Sequence, residues 1–263
     1  MIDTRLARIS FILPLLLTAL SCGAERADSP LDGSNQLVLV VAGTDSTSRA
    51  ELATFVRAGK RWRREFSHPV VIGRNGLGWG IGLHSVGDID PAEPVKREGD
   101  GKSPMGAFVL PNAFGYLLPD SVETRLPYTQ SDGDLICVDD TGSGFYNMVV
   151  NLREKELDPD SLKSHEDMLR RDDLYKYVIV VGHNTNPSTG FSRQAGGGSC
   201  IFIHCWGGPQ SHTDGCTAMA EEDMRRLLQW LDPLQKPVLV QLTRKSYERL
   251  RDKWGLPASL TSP

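Results

Sequence analysis

The stretch Ala53-Thr54-Phe55-Val56-Arg57-Ala58-Gly59-Lys60-Arg61-Trp62-Arg63-Arg64-Glu65-Phe66 decides the class of fold. Apolar and polar residues alternate on both sides of Ala58-Gly59-Lys60, the pattern of a β-hairpin with one half-buried face. Arg61, Arg63 and Arg64 then read as a solvated strand face. A nucleic-acid patch is excluded because the 263-residue chain has a formal net charge of −4 and no broad basic field. Upstream, residues 37–42 form an aliphatic run bounded by Gly43. Downstream, short runs follow at 69–73, 78–83, 106–110, 135–138 and 145–151, each stopped by Gly, Pro, Asp or Asn. Further strands are expected at 177–181, 200–206 and 238–242. Many short strands with this punctuation predict a sandwich or barrel rather than a parallel sheet with crossover helices. Helices are expected at 161–171, at 221–232, where Met224, Leu227, Leu228 and Leu231 share a face, and at 245–254. The fold class is mainly β with a few helices.

The N-terminus reads as an export signal rather than as part of the fold. Arg5 and Arg8 precede an apolar run over 9–20 that is too short to span a bilayer. Ala19-Leu20-Ser21-Cys22 resembles a lipobox with Ala19 where that motif prefers Leu, so residues 1–22 are expected to be a lipoprotein-type signal peptide with Cys22 as lipid-attachment site, simple signal cleavage being the alternative. Residues 23–36 read as a flexible tether, 37–243 as the main folded domain, and 244–263 as a C-terminal helix and tail. Export places Cys137, Cys200 and Cys205 where disulfides persist, so a pair among them is open, but three cysteines cannot all pair internally.

Chemistry concentrates in residues 200–219. Period-two alternation along 200–206 puts Cys200, Phe202, His204 and Trp206 on one face and Ile201, Ile203 and Cys205 on the other. The following loop is nearly devoid of apolar side chains until Cys216, which stands after Thr213-Asp214-Gly215 and just ahead of an expected helix. Near a helix N-terminus a thiolate is favoured. Gly215 lets backbone N–H groups approach an oxyanion, and an imidazole across the loop can take the thiol proton. His204 is the expected base and His212 the alternative. A zinc site from His204, Cys205, His212 and Cys216 fails on spacing, and no Cys-x-x-Cys pair supports a thiol oxidoreductase.

These residues resemble the L,D-transpeptidases with a YkuD-like catalytic domain, whose signature is a strand histidine followed by [Ser/Thr]-x-Gly-Cys. The resemblance extends to Gly73-Arg74-Asn75-Gly76, to residues 98–108 with Gly-Asp-Gly-Lys-Ser-Pro at 99–104, to Cys137-Val138-Asp139-Asp140 with Phe145-Tyr146-Asn147, and to 177–184. It implies a YkuD-like β-sandwich, with Cys216 as acylated nucleophile and His204 as base, oriented by a backbone carbonyl. Backbone N–H groups around Asp214, Gly215 and Cys216 would form the oxyanion hole, with Asp214 also holding the loop in shape. His183, Asn184, Trp206 and Thr213 become candidate substrate contacts, and Lys102 a structural residue. No metal or cofactor is expected. The implied substrate is a peptidoglycan stem peptide, attacked after the L-centre of meso-diaminopimelate with loss of D-alanine. The implied acceptor is an amine of another peptide or a wall-tethered protein. Water in its place would give an L,D-carboxypeptidase or amidase, and loss of turnover would leave a wall-binding lipoprotein. Two departures from the common pattern stand out: Asp214 replaces the usual His, and Thr217-Ala218-Met219 lacks the Arg that often follows the cysteine.

Overall fold

A computed structural model describes residues 29–185 and 193–258. The expected signal peptide over residues 1–22, with Cys22, lies outside the described residues. The chain begins with β1 (Gln36–Ala42), β2 (Arg49–Ala58), β3 (Arg61–Val71), β4 (Leu77–Trp79), β5 (Ser103–Val109), β6 (Ala113–Gly115) and β7 (Tyr128–Gln130). It continues through β8 (Leu135–Val138), β9 (Met148–Asn151), β10 (Glu166–Asp167), β11 (Tyr177–Val180), β12 (Phe202–Cys205) and β13 (Thr217–Met219). Helix α1 (Glu221–Trp230), β14 (Val238–Thr243) and helix α2 (Arg244–Trp254) close the fold.

Eleven strands join in the order β4-β5-β14-β1-β2-β3-β13-β12-β11-β6-β7, and β10-β8-β9 form a separate small sheet. Among the described residues the protein is therefore mainly β with two α-helices, the α+β sandwich class expected of it. The β2/β3 hairpin turns at Gly59, whose φ of +62 suits a glycine. Strand β1 is buried at every position because it lies between β2 and β14 and meets α2, which explains its unbroken aliphatic sequence. The sheet is less purely antiparallel than the strand spacing predicts: β1 with β14, β12 with β13, β4 with β5 and β6 with β7 all pair in parallel.

Two expectations are corrected. The helix at 161–171 is absent. Pro159–Ser161 forms a single 3-10 turn capped by Asp158, and Glu166–Asp167 pairs with Cys137 and Ile136 as an edge strand. Met168, fully buried, then binds through its N–H to the Leu135 carbonyl at 3.0 Å. A mostly polar segment has no stripe strong enough to hold a helix against such pairing. The tether reading also fails over residues 29–35. Leu31 is fully buried, Ser29 Oγ donates to the Trp254 carbonyl at 2.7 Å, and Asn35 N–H donates to the Gln235 carbonyl at 2.8 Å. Burial of one leucine, about 1.5–3 kcal/mol, helps offset the ordering of a short polar segment. Helix α2 belongs to the same core through Tyr247, Leu250 and Trp254, so one core runs from Leu31 to Leu256. No helix among the described residues is long and apolar enough to cross a membrane.

Candidate active site

The parallel pair β12/β13 builds the site. Its register sets Ile203 against Thr217 and His204 against Ala218, so Cys216 arrives beside Phe202 at the start of the pair. The Phe202 N–H donates to Cys216 Sγ at 3.3 Å, and the thiol faces the Cys200 carbonyl at 3.6 Å. Phe202 and His204 pack on one side of β12, while Ile201, Ile203 and Cys205 enter the main core, as the alternation predicts. Trp206 falls beyond the strand end and does not reach the cavity that His204 and Cys216 share.

That cavity, about 330 Å³, opens between β12, the 212–216 loop and the small sheet. The His204 Nδ1–H donates to the Cys205 carbonyl at 2.7 Å, which fixes the tautomer and leaves Nε2 as the basic nitrogen. Burial pushes the His204 pKa down to about 4. Burial likewise pushes the Cys216 thiol up to about 12, with the charge of Glu166 adding to the rise and the Phe202 N–H opposing it. The resting pair is thus thiol and imidazole. The thiolate expected from a helix N-terminus is overturned, because Thr217–Met219 is a strand and α1 starts only at Glu221.

The upstream motifs are the cradle of this loop. Thr213 Oγ1 and Ser103 Oγ both donate to the Cys216 carbonyl, at 2.6 and 2.9 Å, and the Gly73 N–H donates to Ser103 Oγ at 2.9 Å. Thr213 pairs with Gly73, its carbonyl accepting from the Arg74 N–H at 2.8 Å. Asp214 is exposed and forms an ion pair with Arg74, which agrees with a loop-shaping role. Lys102 Nζ donates to the Asn75 carbonyl at 2.7 Å, also within this cradle. Gly215 sits at φ +155, where an added Cβ would lie 3.2 Å from both Ile201 Cδ1 and the Lys102 carbonyl. Gly215→Ala should therefore cost about 1–3 kcal/mol in a denaturant melt and reduce turnover at least about tenfold, by displacing the N–H groups beside Cys216. Unchanged turnover with unchanged stability would contradict this account.

His183 and Asn184 are not cavity residues. Both are 1% exposed. His183 accepts the Ile81 N–H at Nδ1 (3.2 Å) and donates from Nε2 to the Gly197 carbonyl (3.0 Å), and burial pushes its pKa down to about 3. Asn184 donates to the Gln194 and Gly198 carbonyls and accepts the Gln194 N–H. Asn147 ties the two to the site by donating to both of their carbonyls and accepting the Cys200 N–H at 3.0 Å. These side chains hold the segment leading to Cys200 from behind. His212 lines the cavity rim with an exposed side chain.

Cys200 is joined to Cys137 by a disulfide, so the open cysteine pairing resolves to this pair, with Cys205 free and buried. The bond fastens the small sheet to the strand carrying the site. That sheet and the turn after it supply Asp139, Glu166, Arg170 and Tyr175, wall residues absent from the sequence-based candidates, as are Lys96 and Glu98. Burial, with nearby Asp139, pushes the Glu166 carboxyl up, and it accepts the Tyr175 hydroxyl at 3.2 Å. Glu98 accepts hydroxyls from Tyr146 and, at 2.8 Å, Ser199. Among the described residues no cluster of His, Cys, Asp and Glu has the arrangement of a metal site.

The sequence profile of YkuD, the L,D-transpeptidase catalytic domain, matches residues 44–240, and the matched span holds both Cys216 and His204. The chain belongs to the YkuD family. Among solved structures, Bd1075 of Bdellovibrio bacteriovorus is 12% identical over 84% of this chain and 55% of its own, with a TM-score of 0.38. The helical cell shape determining protein Pgp2 from Campylobacter jejuni is 16% identical over 80% and 48%, with a TM-score of 0.37. This YkuD chain spans about half the length of each. No curated protein matches it.

Proposed function

We propose that this YkuD protein is a cysteine acyltransferase acting on peptidoglycan stem peptides outside the cytoplasmic membrane. The observation that carries the reading is the His204 ring, locked through Nδ1 onto the Cys205 carbonyl with Nε2 left basic, on the cavity that also holds Cys216. Because both side chains are buried, separating the pair into thiolate and imidazolium is costly before substrate arrives. Proton transfer from Sγ to Nε2 therefore accompanies attack on the amide carbonyl, as negative charge passes to the substrate oxygen near the Asp214 and Cys216 N–H groups, the Gly215 N–H being held by Thr213 Oγ1 at 3.2 Å. The C–N bond breaks when His204 returns the proton to the leaving amine, and D-alanine departs. A second amine then attacks the thioester and releases Cys216. Residues 1–22 would direct export, with Cys22 as the lipid anchor, and the Cys137–Cys200 disulfide suits an oxidising compartment.

Mass spectrometry of purified muropeptides incubated with the protein tests the reading. Cross-linked dimers, or exchange of the terminal D-alanine for an added D-amino acid, are expected. Shortened monomers alone would reassign the same thioester chemistry to a hydrolase, and unaltered muropeptides would leave a binding protein.

A further inference from the structure

Arg170 stands on the cavity wall in an ordered array. Asp172 takes one edge of its guanidinium, with Nε 3.1 and 3.2 Å from Oδ1 and Oδ2, and Nη2 2.9 Å from Oδ2. Asp172 is itself fixed by the Leu174 N–H at 3.0 Å. The guanidinium carbon lies 5.1 Å from the Tyr175 ring centre, and the Tyr175 ring meets the His204 ring edge-on at 5.1 Å. Arg170 is thus held in a plane one aromatic ring away from the base, with a side chain 39% exposed. Nη1 has no partner among the described residues. A guanidinium has five donors in a rigid fork, so the edge facing away from Asp172 is free to take a second carboxylate.

The other permanent cation of the cavity is already committed. Lys96 Nζ is bound to Asp100 Oδ1 at 2.6 Å and to the Arg97 carbonyl at 2.7 Å, and its side chain is 3% exposed. On the anionic side, Glu98 holds two hydroxyls and Asp214 holds Arg74. Among the described residues that line this cavity, Arg170 is therefore the fixed cation with donors to spare for an entering negatively charged group. A peptide cut one residue from its end carries a terminal carboxylate within one Cα–Cα step, about 3.8 Å, of the scissile amide.

We propose that Arg170 is a specificity-determining residue that binds the terminal carboxylate of the donor peptide, while Asp172 and Tyr175 hold the guanidinium in position. This rests on the acyl-transfer reading of the same cavity.

The test separates binding from turnover. In Cys216→Ala protein, titration calorimetry compares a stem tetrapeptide ending in D-alanine with the same peptide ending in the carboxamide. The free acid is expected to bind about tenfold to a hundredfold more tightly, the range of a charge-assisted pair of hydrogen bonds. Arg170→Gln in that background should erase the preference by weakening the acid alone, and Arg170→Lys, a point charge without the fork, should keep part of it. Equal affinities, no measurable binding of either peptide, a preference that survives Arg170→Gln, or an equal loss on both peptides would overturn the proposal. Muropeptide turnover by the wild-type protein, run in parallel, reports on the acyl-transfer reading. An Arg170-dependent preference without turnover sinks that reading and keeps the carboxylate site, whereas turnover without preference does the reverse.

Discussion

Cys216→Ala is expected to lower muropeptide turnover by at least about a thousandfold while leaving the fold in place. The loop does not depend on the sulfur for its shape, because Thr213 and Ser103 hold the Cys216 carbonyl and Arg74 holds Asp214. The stability cost should be about 1 kcal/mol, typical of trimming one small buried group. The wild-type thiol carries a second expectation. Since burial raises its pKa to about 12, the free protein is a neutral thiol at pH 7, and alkylation by iodoacetamide should be slow there and climb with pH beyond 9 without levelling. Cys205, also raised by burial, to about 11, is separated by mapping the labelled peptide. A labelling plateau below pH 8 at Cys216 would mean a preformed thiolate and overturn the proton-transfer account.

Cleaving the Cys137–Cys200 bond should produce the largest loss of stability open to a chemical treatment of this protein. The bond closes a loop with a sequence separation of 63, for which the chain-entropy relation gives roughly 4 kcal/mol. In a domain of this size that corresponds to a fall in melting temperature of about 8–16 °C. Turnover should fall as well. Cys200 has a left-handed backbone at φ +54, unusual for a residue with a side chain, and its carbonyl faces the Cys216 thiol. The covalent tie and the Asn147 side chain together keep it there. Melting curves with and without dithiothreitol, and of Cys137→Ser/Cys200→Ser, check this. Superimposable curves would show that the bond contributes nothing to the domain.

The hairpin at 53–66, the aliphatic β1 and both helices were legible because each has a clean period and a clear stop. Residues 161–171 were not, since the partner that claims them, β8, lies more than twenty positions away and no local pattern announces it. The same fact hides most of the cavity wall. Glu166, Arg170 and Tyr175 reach the site only through the small sheet and its following turn. That Cys216, His204 and Thr213 come together was legible because the elements that carry them are local: a strand, a loop, and a turn with a glycine. His183 and Asn184 look equally polar and close in sequence to a site strand, but polarity does not say whether a side chain faces a cavity or braces its wall. Their buried hydrogen bonds do. Glu98 and Asp139 stood in plain view inside recognisable motifs, without any signal of what they would face.

The carbonyl of Cys216 is gripped by two hydroxyls, one from the remote strand β5 at Ser103 and one from its own loop at Thr213. Cys216 is thereby anchored by its main chain, while its sulfur makes only the longer contacts with the Phe202 N–H and the Cys200 carbonyl. On the proposed chemistry, loading an acyl group onto the sulfur exchanges only the weak contacts of that atom, so the fulcrum beneath it need not shift between empty and charged states. A covalent inhibitor designed against the resting geometry would on this basis meet the same support after it has reacted.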